Sequence, residues 1–124
     1  MLNFNSILLS TDNLEKLVDF YKKVFQKEPD MSEENYAGFM VGSAFLTIGF
    51  HDKIKGANPN PDRFLFNFET NDVKGEFERI KSLGAAVIKE PYTMDGSERM
   101  WIATFADPDG NYFQLVPPWN ENTK

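Results

Sequence analysis

Apolar residues recur at helical spacing in two segments of the chain. The first segment follows Thr11 or Asp12, either of which is a suitable helix cap, and it ends before Pro29. The second segment follows Asn71 or Asp72. The apolar stripes are Leu14, Leu17, Val18, Tyr21, Val24 and Phe25 in the first segment, and Val73, Phe77 and Ile80 in the second. This pattern predicts two amphipathic helices.

Between and around these helices, apolar and polar residues alternate as they do in strands. Turn-forming residues separate the alternating segments, as at Gly42-Ser43. The predicted strands cover residues 3–9, 36–41, 44–50, 64–69, 85–89, 99–106 and 111–116.

The order of these elements repeats once, which predicts a single domain over residues 1–124 with two modules. Module one covers 1–50, a linker rich in Pro, Gly, Asn and Asp covers 51–62, module two covers 63–118, and a tail covers 119–124. In this interpretation Asp12 and Asp72 begin equivalent helices. Asp12 lies seven residues after Asn5, and Asp72 lies seven residues after Leu65. Two such units predict an α+β fold with helices on one side of mixed sheets.

Alternation also assigns residues to the two faces of the predicted sheets. Phe64, Phe66 and Phe68 share one face, which we expect to pack beneath a helix. A second face carries polar residues among apolar ones, namely Asn5, Thr47, Asn67, Glu69, Tyr112 and Gln114. From periodicity alone, this face is either washed by solvent or the lining of a concave binding site.

Composition narrows the class of protein. The chain has no cysteine, so disulfides and thiol chemistry are excluded. A formal charge of −6 argues against nucleic acid as a partner and mildly favours cationic ligands. We find no signal-peptide pattern and no apolar run long enough to span a membrane, and a cytoplasmic location fits best. Twelve Phe, four Tyr and two Trp suit a core and also a site for a flat small molecule.

One short segment is the most informative in the chain. Asp107-Pro108-Asp109-Gly110 has the composition of a tight turn, and Tyr112-Phe113-Gln114-Leu115 alternates like the strand that leaves it. This hairpin resembles the last hairpin of the vicinal oxygen chelate superfamily, which includes glyoxalase I, bleomycin-resistance proteins and extradiol dioxygenases. The resemblance extends over residues 3–118 and implies paired βαβββ modules whose mixed sheets curl around a pocket. It also implies a homodimer.

The resemblance further implies where a metal ion would bind. Its metal ligands come from the first and last strands of each module, which here correspond to Asn5, Thr47, Leu65 and Gln114. Metal-using members carry Glu at the position of Gln114, and many carry His at that of Leu65. Since none of these four side chains is a carboxylate or an imidazole, we predict no metal and no other cofactor.

Other catalytic groups are few. His51 stands alone beside the linker, and Glu69 could serve as a general base only if it were buried. Arg63 and Arg99 could hold an anionic group, although arginines are common on surfaces.

Two classes of function remain open on this basis. The first is a metal-free module that binds a small aromatic or cationic molecule such as an antibiotic, similar to the bleomycin-resistance branch. Its aromatic contacts would come from Phe45, Trp101 and Tyr112, with a place in the core as the equal alternative for Trp101. Its polar contacts would come from Asn5, Thr47, Asn67 and Gln114, with Leu65 beside them. The second is a lyase or isomerase of the glyoxalase type, with an atypical metal site or with Glu69 as base. A third possibility is that the protein acts through its dimer surface.

Overall fold

The computed structural model describes residues 1–93, 96 and 100–118. Within this part of the chain the backbone forms eight strands and two helices in two units, Met1–Ala57 and a second unit that begins at Asn58. The division falls inside the predicted linker. The tail and Arg99 lie outside the described residues.

The first unit contains a mixed four-stranded sheet and one helix. Its strands are β1 (Ser6–Thr11), β2 (Met31–Ser32), β3 (Tyr36–Val41) and β4 (Ala44–Phe50), in the spatial order β1-β4-β3-β2. The parallel pair is β1 with β4, while the other neighbours are antiparallel. The sequence pattern predicted β3 and β4 correctly and gave no sign of β2. It started β1 three residues too early and ended it two residues too early.

The second unit repeats this topology. Its strands are β5 (Leu65–Glu69), β6 (Ala86–Thr93), β7 (Trp101–Ala106) and β8 (Tyr112–Val116), in the spatial order β5-β8-β7-β6. Here β5 and β8 form the parallel pair. The α+β class and the helix-plus-mixed-sheet modules predicted from the sequence are confirmed.

Helix α1 (Leu14–Phe25) buries Leu17, Tyr21 and Val24, which recur every three or four residues along one face. The helix ends at Gln26, whose φ of 58° is left-handed. The ring of Phe25 meets Phe39 of β3 edge to face, with centroids 5.2 Å apart. Helix α1 therefore covers the sheet face that carries Phe39.

Helix α2 (Val73–Ser82) buries Val73, Phe77 and Ile80, the residues that the apolar stripe predicted. Phe77 stacks on Phe105, and Phe105 stacks on Phe113, with centroid separations of 5.1 and 5.6 Å. Phe68 meets Phe113 edge to face. Burial of each such ring stabilises the fold by about 1.5–3 kcal/mol relative to exposure, so this aromatic column anchors the helix to the sheet.

Phe64 is an exception to the predicted phenylalanine face. It precedes β5 and is 73% exposed, because the strand begins only at Leu65. None of the helices in the described residues is both long and apolar enough to cross a membrane.

Candidate functional site

The helix caps establish which positions of the two modules are equivalent. Asn13 caps α1 and Asp72 caps α2. Two residues before each cap a threonine hydroxyl accepts a hydrogen bond from the backbone N–H of the cap, from Asn13 to Thr11 and from Asp72 to Thr70, both at 3.0 Å. The helix-opening residue of module one is therefore Asn13, and the predicted caps Thr11 and Asp12 are wrong.

This shift moves the equivalent of Leu65 from Asn5 to Ser6. Leu65 lies opposite Tyr112, two residues before Gln114 of the same parallel partner strand. Ser6 lies opposite Phe45, two residues before Thr47 in the same way. Ser6 with Thr47, and Leu65 with Gln114, thus occupy matching positions in the two units.

Asn5 does not belong to the predicted polar face. Its carbonyl oxygen accepts a hydrogen bond from the backbone N–H of Phe45 at 2.8 Å. Alternation places Asn5 in step with Leu9, which is buried on the side of the sheet covered by α1. Ser6 and Leu8 occupy the opposite face.

The second sheet carries a transverse line of polar residues on the face opposite α2, with one residue from each strand. Asn67 lies opposite Gln114, Gln114 opposite Thr104, and Thr104 opposite Lys89. We call Asn67, Gln114, Thr104 and Lys89 the polar row. Thr104 is 5% exposed, while Asn67 and Lys89 on the edge strands are exposed. The Gln114 amide nitrogen lies 3.5 Å from the Thr104 hydroxyl oxygen, at the limit of a hydrogen bond.

Two further rows lie on either side of the polar row, and one of them contains the exposed carboxylate of Glu69. On one side are Leu65, Tyr112, Ala106 and Ala86, each opposite the next. On the other side, Glu69 lies opposite Val116, and Ile102 lies opposite Tyr92. Because neighbouring strands are about 4.8 Å apart, the four strands span roughly 14 Å. The face thus offers a strip of hydrogen-bonding groups between apolar and aromatic residues, with the carboxylate of Glu69 at one edge.

The corresponding face of the first sheet is more apolar. Thr47 lies opposite Leu8 on one side and Gly38 on the other. The ring of Phe45 occupies the space above Gly38 that a β-carbon would fill, and Leu8 is 62% exposed. Phe45 and Thr47 therefore share a face, as the alternation predicted.

Trp101 does not lie on the face of the second sheet that carries Tyr112 and Gln114. The Nζ atom of Lys74, on α2, lies 3.7 Å from the centroid of the Trp101 ring. Along β7, Trp101 is on the same side as Phe105, which packs beneath α2, and Ile102 is on the opposite side. Trp101 is therefore on the helix-covered face, and its predicted place beside Tyr112 and Gln114 is wrong.

The remaining predicted chemical groups are dispersed. His51 is half exposed. Its Nδ1 atom accepts a hydrogen bond from the Lys53 backbone N–H at 3.1 Å and lies 3.5 Å from Oδ1 of Asp52. Glu69 is exposed, so the burial that a general base would need is not met. Arg63 is exposed before β5.

The residues at the expected metal positions are poor ligands for a divalent cation. They offer the hydroxyls of Ser6 and Thr47, the alkyl side chain of Leu65 and the neutral amide of Gln114. Replacing water around a divalent cation by these groups returns little free energy, since no anionic oxygen or imidazole is among them. Throughout residues 1–93, 96 and 100–118, no group of three or more His, Asp and Glu side chains is placed to hold a metal ion. The donor set therefore does not fit a metal centre.

The turn before β8 holds the end of the candidate face in place. Both Asp109 and Asn111 donate backbone hydrogen bonds to Oδ1 of buried Asp107, at 2.9 and 3.0 Å, and the Asn111 side chain donates to Oδ2 at 3.0 Å. The side chain of Asn58 donates to Oδ1 of Asn111 at 3.1 Å, and its backbone N–H donates to the Asp109 carbonyl at 2.8 Å. Gly110 has a φ of 79°, which fits the glycine expected there. The turn thereby fixes where β8 begins.

Sequence reasoning missed Ser6, Lys89, Thr104 and Tyr92. Ser6 would have been found from the two threonines that precede the caps, at Thr11 and Thr70. Thr104 alternates with buried neighbours in β7, a signal that was available but ambiguous. No local signal placed Lys89, because the register of β6 with β7 shifts on both sides of Lys89.

Comparison with known proteins places this geometry in context. The model of the Glyoxalase/Bleomycin resistance protein/Dioxygenase superfamily matches residues 3–115. The phenazine antibiotic resistance protein EhpR of Enterobacter agglomerans is 30% identical over 119 residues, covering 91% of this chain and 90% of EhpR. The metallothiol transferase FosB of Shouchella clausii is 26% identical over 113 residues, covering 90% of this chain and 77% of FosB.

Solved structures agree with the fold. The fosfomycin resistance protein FosX from Listeria monocytogenes aligns with a TM-score of 0.76 at 22% identity, covering 100% of this chain and 99% of FosX. A family enzyme from Burkholderia phytofirmans aligns with a TM-score of 0.73 at 19% identity, over 94% of this chain and 98% of its own. Together with the two-module topology and the Asp-Pro-Asp-Gly hairpin, these matches show that the chain belongs to the Glyoxalase/Bleomycin resistance protein/Dioxygenase superfamily.

Proposed function

We propose that this protein binds a small aromatic molecule of the antibiotic type without a metal ion, and that it acts by sequestering that molecule. The observation that carries this proposal is the donor chemistry of Ser6, Thr47, Leu65 and Gln114. Chemistry that relies on a Lewis acid needs anionic or imidazole ligands to retain the cation, and these positions supply neither.

The face of the second sheet supports an aromatic ligand. Tyr112 and Tyr92 lie on opposite sides of the polar row, so a flat molecule could contact a ring while its edge meets amide and hydroxyl groups. Asn67 and Gln114 both donate and accept hydrogen bonds, which suits a heteroaromatic edge of either polarity. In the first unit, Phe45 above Gly38 is an aromatic surface on that unit's own sheet.

The names of two relatives suggest different functions, and the side chains at the expected metal positions favour one of these functions. FosB is by its name a metallothiol transferase, whereas EhpR is by its name a phenazine antibiotic resistance protein. Because the metal positions of this chain lack metal-binding side chains, the proposal follows the resistance function and not the metal-dependent transfer. A homodimer and a cytoplasmic location belong to the same proposal, by analogy with the family.

A catalytic role has weaker support. Glu69, the candidate base, is exposed and sits at the last residue of an edge strand. A lyase or isomerase of the glyoxalase type would instead require a metal or a sheltered base. Metal analysis therefore tests the metal-dependent form of this alternative.

The proposal is tested with the purified full-length protein in two steps. First, metal content is measured by mass spectrometry after dialysis, and substoichiometric Zn, Ni, Mn and Fe are expected. Stoichiometric retention of any of them would overturn the metal-free proposal. Second, a panel of planar aromatic compounds that includes phenazine is titrated by calorimetry and by shifts in melting temperature.

A matched pair of variants locates the binding surface. Asn67→Ala removes an amide from the polar row, whereas Asn71→Ala removes an exposed amide from the loop that follows β5. We expect Asn67→Ala to weaken binding by about fivefold to tenfold, as the loss of one hydrogen bond implies, and Asn71→Ala to leave it unchanged. If no compound in the panel binds, the proposed function is wrong, and if both variants behave alike, the proposed site is wrong.

A further inference from the structure

The polar row is electrically asymmetric. Asn67, Gln114 and Thr104 are neutral, and Lys89 at the end of the row is cationic. Neighbouring members lie opposite each other on adjacent strands, so Lys89 continues the line of hydrogen-bonding groups. A ligand edge placed along the row would meet amide and hydroxyl groups first and an ammonium group last.

The Lys89 side chain lies against the face. Its Nζ atom is 5.0 Å from the centroid of the Tyr92 ring, within the range of a cation–π contact. Tyr92 is the cross-strand partner of Ile102, in the row next to Thr104. The ring therefore holds the ammonium group beside the polar row.

No carboxylate among the described residues forms an ion pair with Lys89. The neighbouring Glu90 lies 4.0 Å from Lys81 of α2, on the other side of the sheet. Glu69, on the candidate face, belongs to the opposite edge strand β5. Three strand spacings of about 4.8 Å separate these edges, which exceeds the screening length of about 8 Å at physiological ionic strength.

We propose that Lys89 recognises an oxyanion on the ligand, and that the preferred ligand is a planar aromatic molecule carrying a carboxylate or a comparable anionic group. This inference rests on the proposed function and makes it more specific. The oxyanion would accept a hydrogen bond from the exposed Lys89 ammonium group, while the aromatic body lies towards Gln114 and Asn67.

The local charge reverses the preference that the whole chain implies. A net charge of −6 favours cations at long range, where screening is strong. At contact distance the nearest formal charge decides, and on the polar row that charge is Lys89.

The test uses phenazine-1-carboxylate and phenazine-1-carboxamide, which have nearly the same size and shape but differ in charge. Affinities are measured by calorimetry for the wild type and for Lys89→Met and Lys89→Arg. We expect the wild type to bind the carboxylate about tenfold more tightly than the amide, as one charge-assisted hydrogen bond implies. Lys89→Met should reduce this ratio to within twofold, and Lys89→Arg should restore most of it.

Lys81→Met is the matched control, because it removes the same charge from the helix-covered side of the same unit. It should leave the carboxylate-to-amide ratio unchanged. Raising the salt concentration should lower the ratio for the wild type and should not lower it for Lys89→Met.

The two proposals fail in distinguishable ways. If neither compound nor any other planar aromatic binds, the proposed function itself fails. If both bind with equal affinity, or if Lys81→Met lowers the ratio as much as Lys89→Met does, the binding function stands and the role of Lys89 is overturned.

Discussion

Asn67 and Gln114 lie directly opposite each other on the parallel strands β5 and β8. Leu65 lies opposite Tyr112, two residues before Gln114. This register makes Asn67 the amide neighbour of Gln114 on the candidate face. It also explains why Gln114 belongs to a line of hydrogen-bonding groups that continues to Thr104.

The register predicts that metal-binding residues can be introduced into the second unit. Leu65 and Gln114 are diagonal neighbours on adjacent strands, about 7–8 Å apart, so two long side chains can converge on one ion. The double variant Leu65→His with Gln114→Glu should therefore bind Ni²⁺ measurably by calorimetry, and each single variant should bind it more weakly. The pair Asn71→His with Gln114→Glu is the control. Equal binding by the wild type would contradict the prediction.

The position of Trp101 beside Lys74 predicts how its fluorescence emission responds to substitution of Lys74. In a Trp119→Phe background Trp101 is the remaining tryptophan, and Lys74→Met should change its emission because the ammonium group lies 3.7 Å from the ring centroid. The lost cation–π contact should lower the free energy of unfolding by about 0.5–1 kcal/mol.

A ligand that does not absorb in the tryptophan emission band and binds the opposite face of the sheet should leave the emission of Trp101 largely unquenched. The control is Lys81→Met, because the ammonium group of Lys81 lies beside Phe77 and not beside Trp101. Strong quenching by a bound aromatic ligand, with no effect of Lys74→Met, would place Trp101 in the binding site after all.

The hydrogen bonds of Asn58 predict that the linker contributes to the stability of the second unit. Its side chain donates to Asn111 and accepts from the backbone N–H of Asn60. Asn58→Ala removes both bonds and should lower the free energy of unfolding by about 1–3 kcal/mol, measured by urea denaturation. Asn60→Ala keeps the backbone donor and should have less effect. Equal effects of the two substitutions would show that the turn is not held by Asn58.

Asp30 predicts a dependence of stability on pH. The hydrogen bond from Lys27 and then that from the Met40 backbone hold the pKa of Asp30 below its usual value of 3.8. A folded pKa below the unfolded value stabilises the protein above the unfolded pKa, and that contribution is lost as the pH falls through the folded pKa. Asp30→Asn should therefore lose less stability than the wild type when the pH falls below about 4.

The control for the pH experiment is Asp62→Asn, which removes an exposed carboxylate from the linker. Melting temperatures of the three proteins across the acidic range give the comparison. If Asp30→Asn and the wild type lose stability in parallel, the contact with Lys27 and Met40 makes no pH-dependent contribution.

The sequence by itself determined the features that depend on local spacing. The stripes Leu17-Tyr21-Val24 and Val73-Phe77-Ile80 became the buried helix faces, because a helix places residues three and four apart on one side. The Asp-Pro-Asp-Gly turn was equally predictable, since Pro and Gly restrict or permit specific backbone angles within four residues.

Only the tertiary structure decided which residues face each other across strands. Asn67 meets Gln114, and Lys89 meets Thr104, through pairings that no local pattern contains. Trp101 lies beneath α2 for the same reason, because a one-residue change in pairing register exchanges the two faces of a strand. Register depends on hydrogen bonds between distant segments. The composition of the candidate site therefore followed from the fold, whereas its elements followed from the sequence.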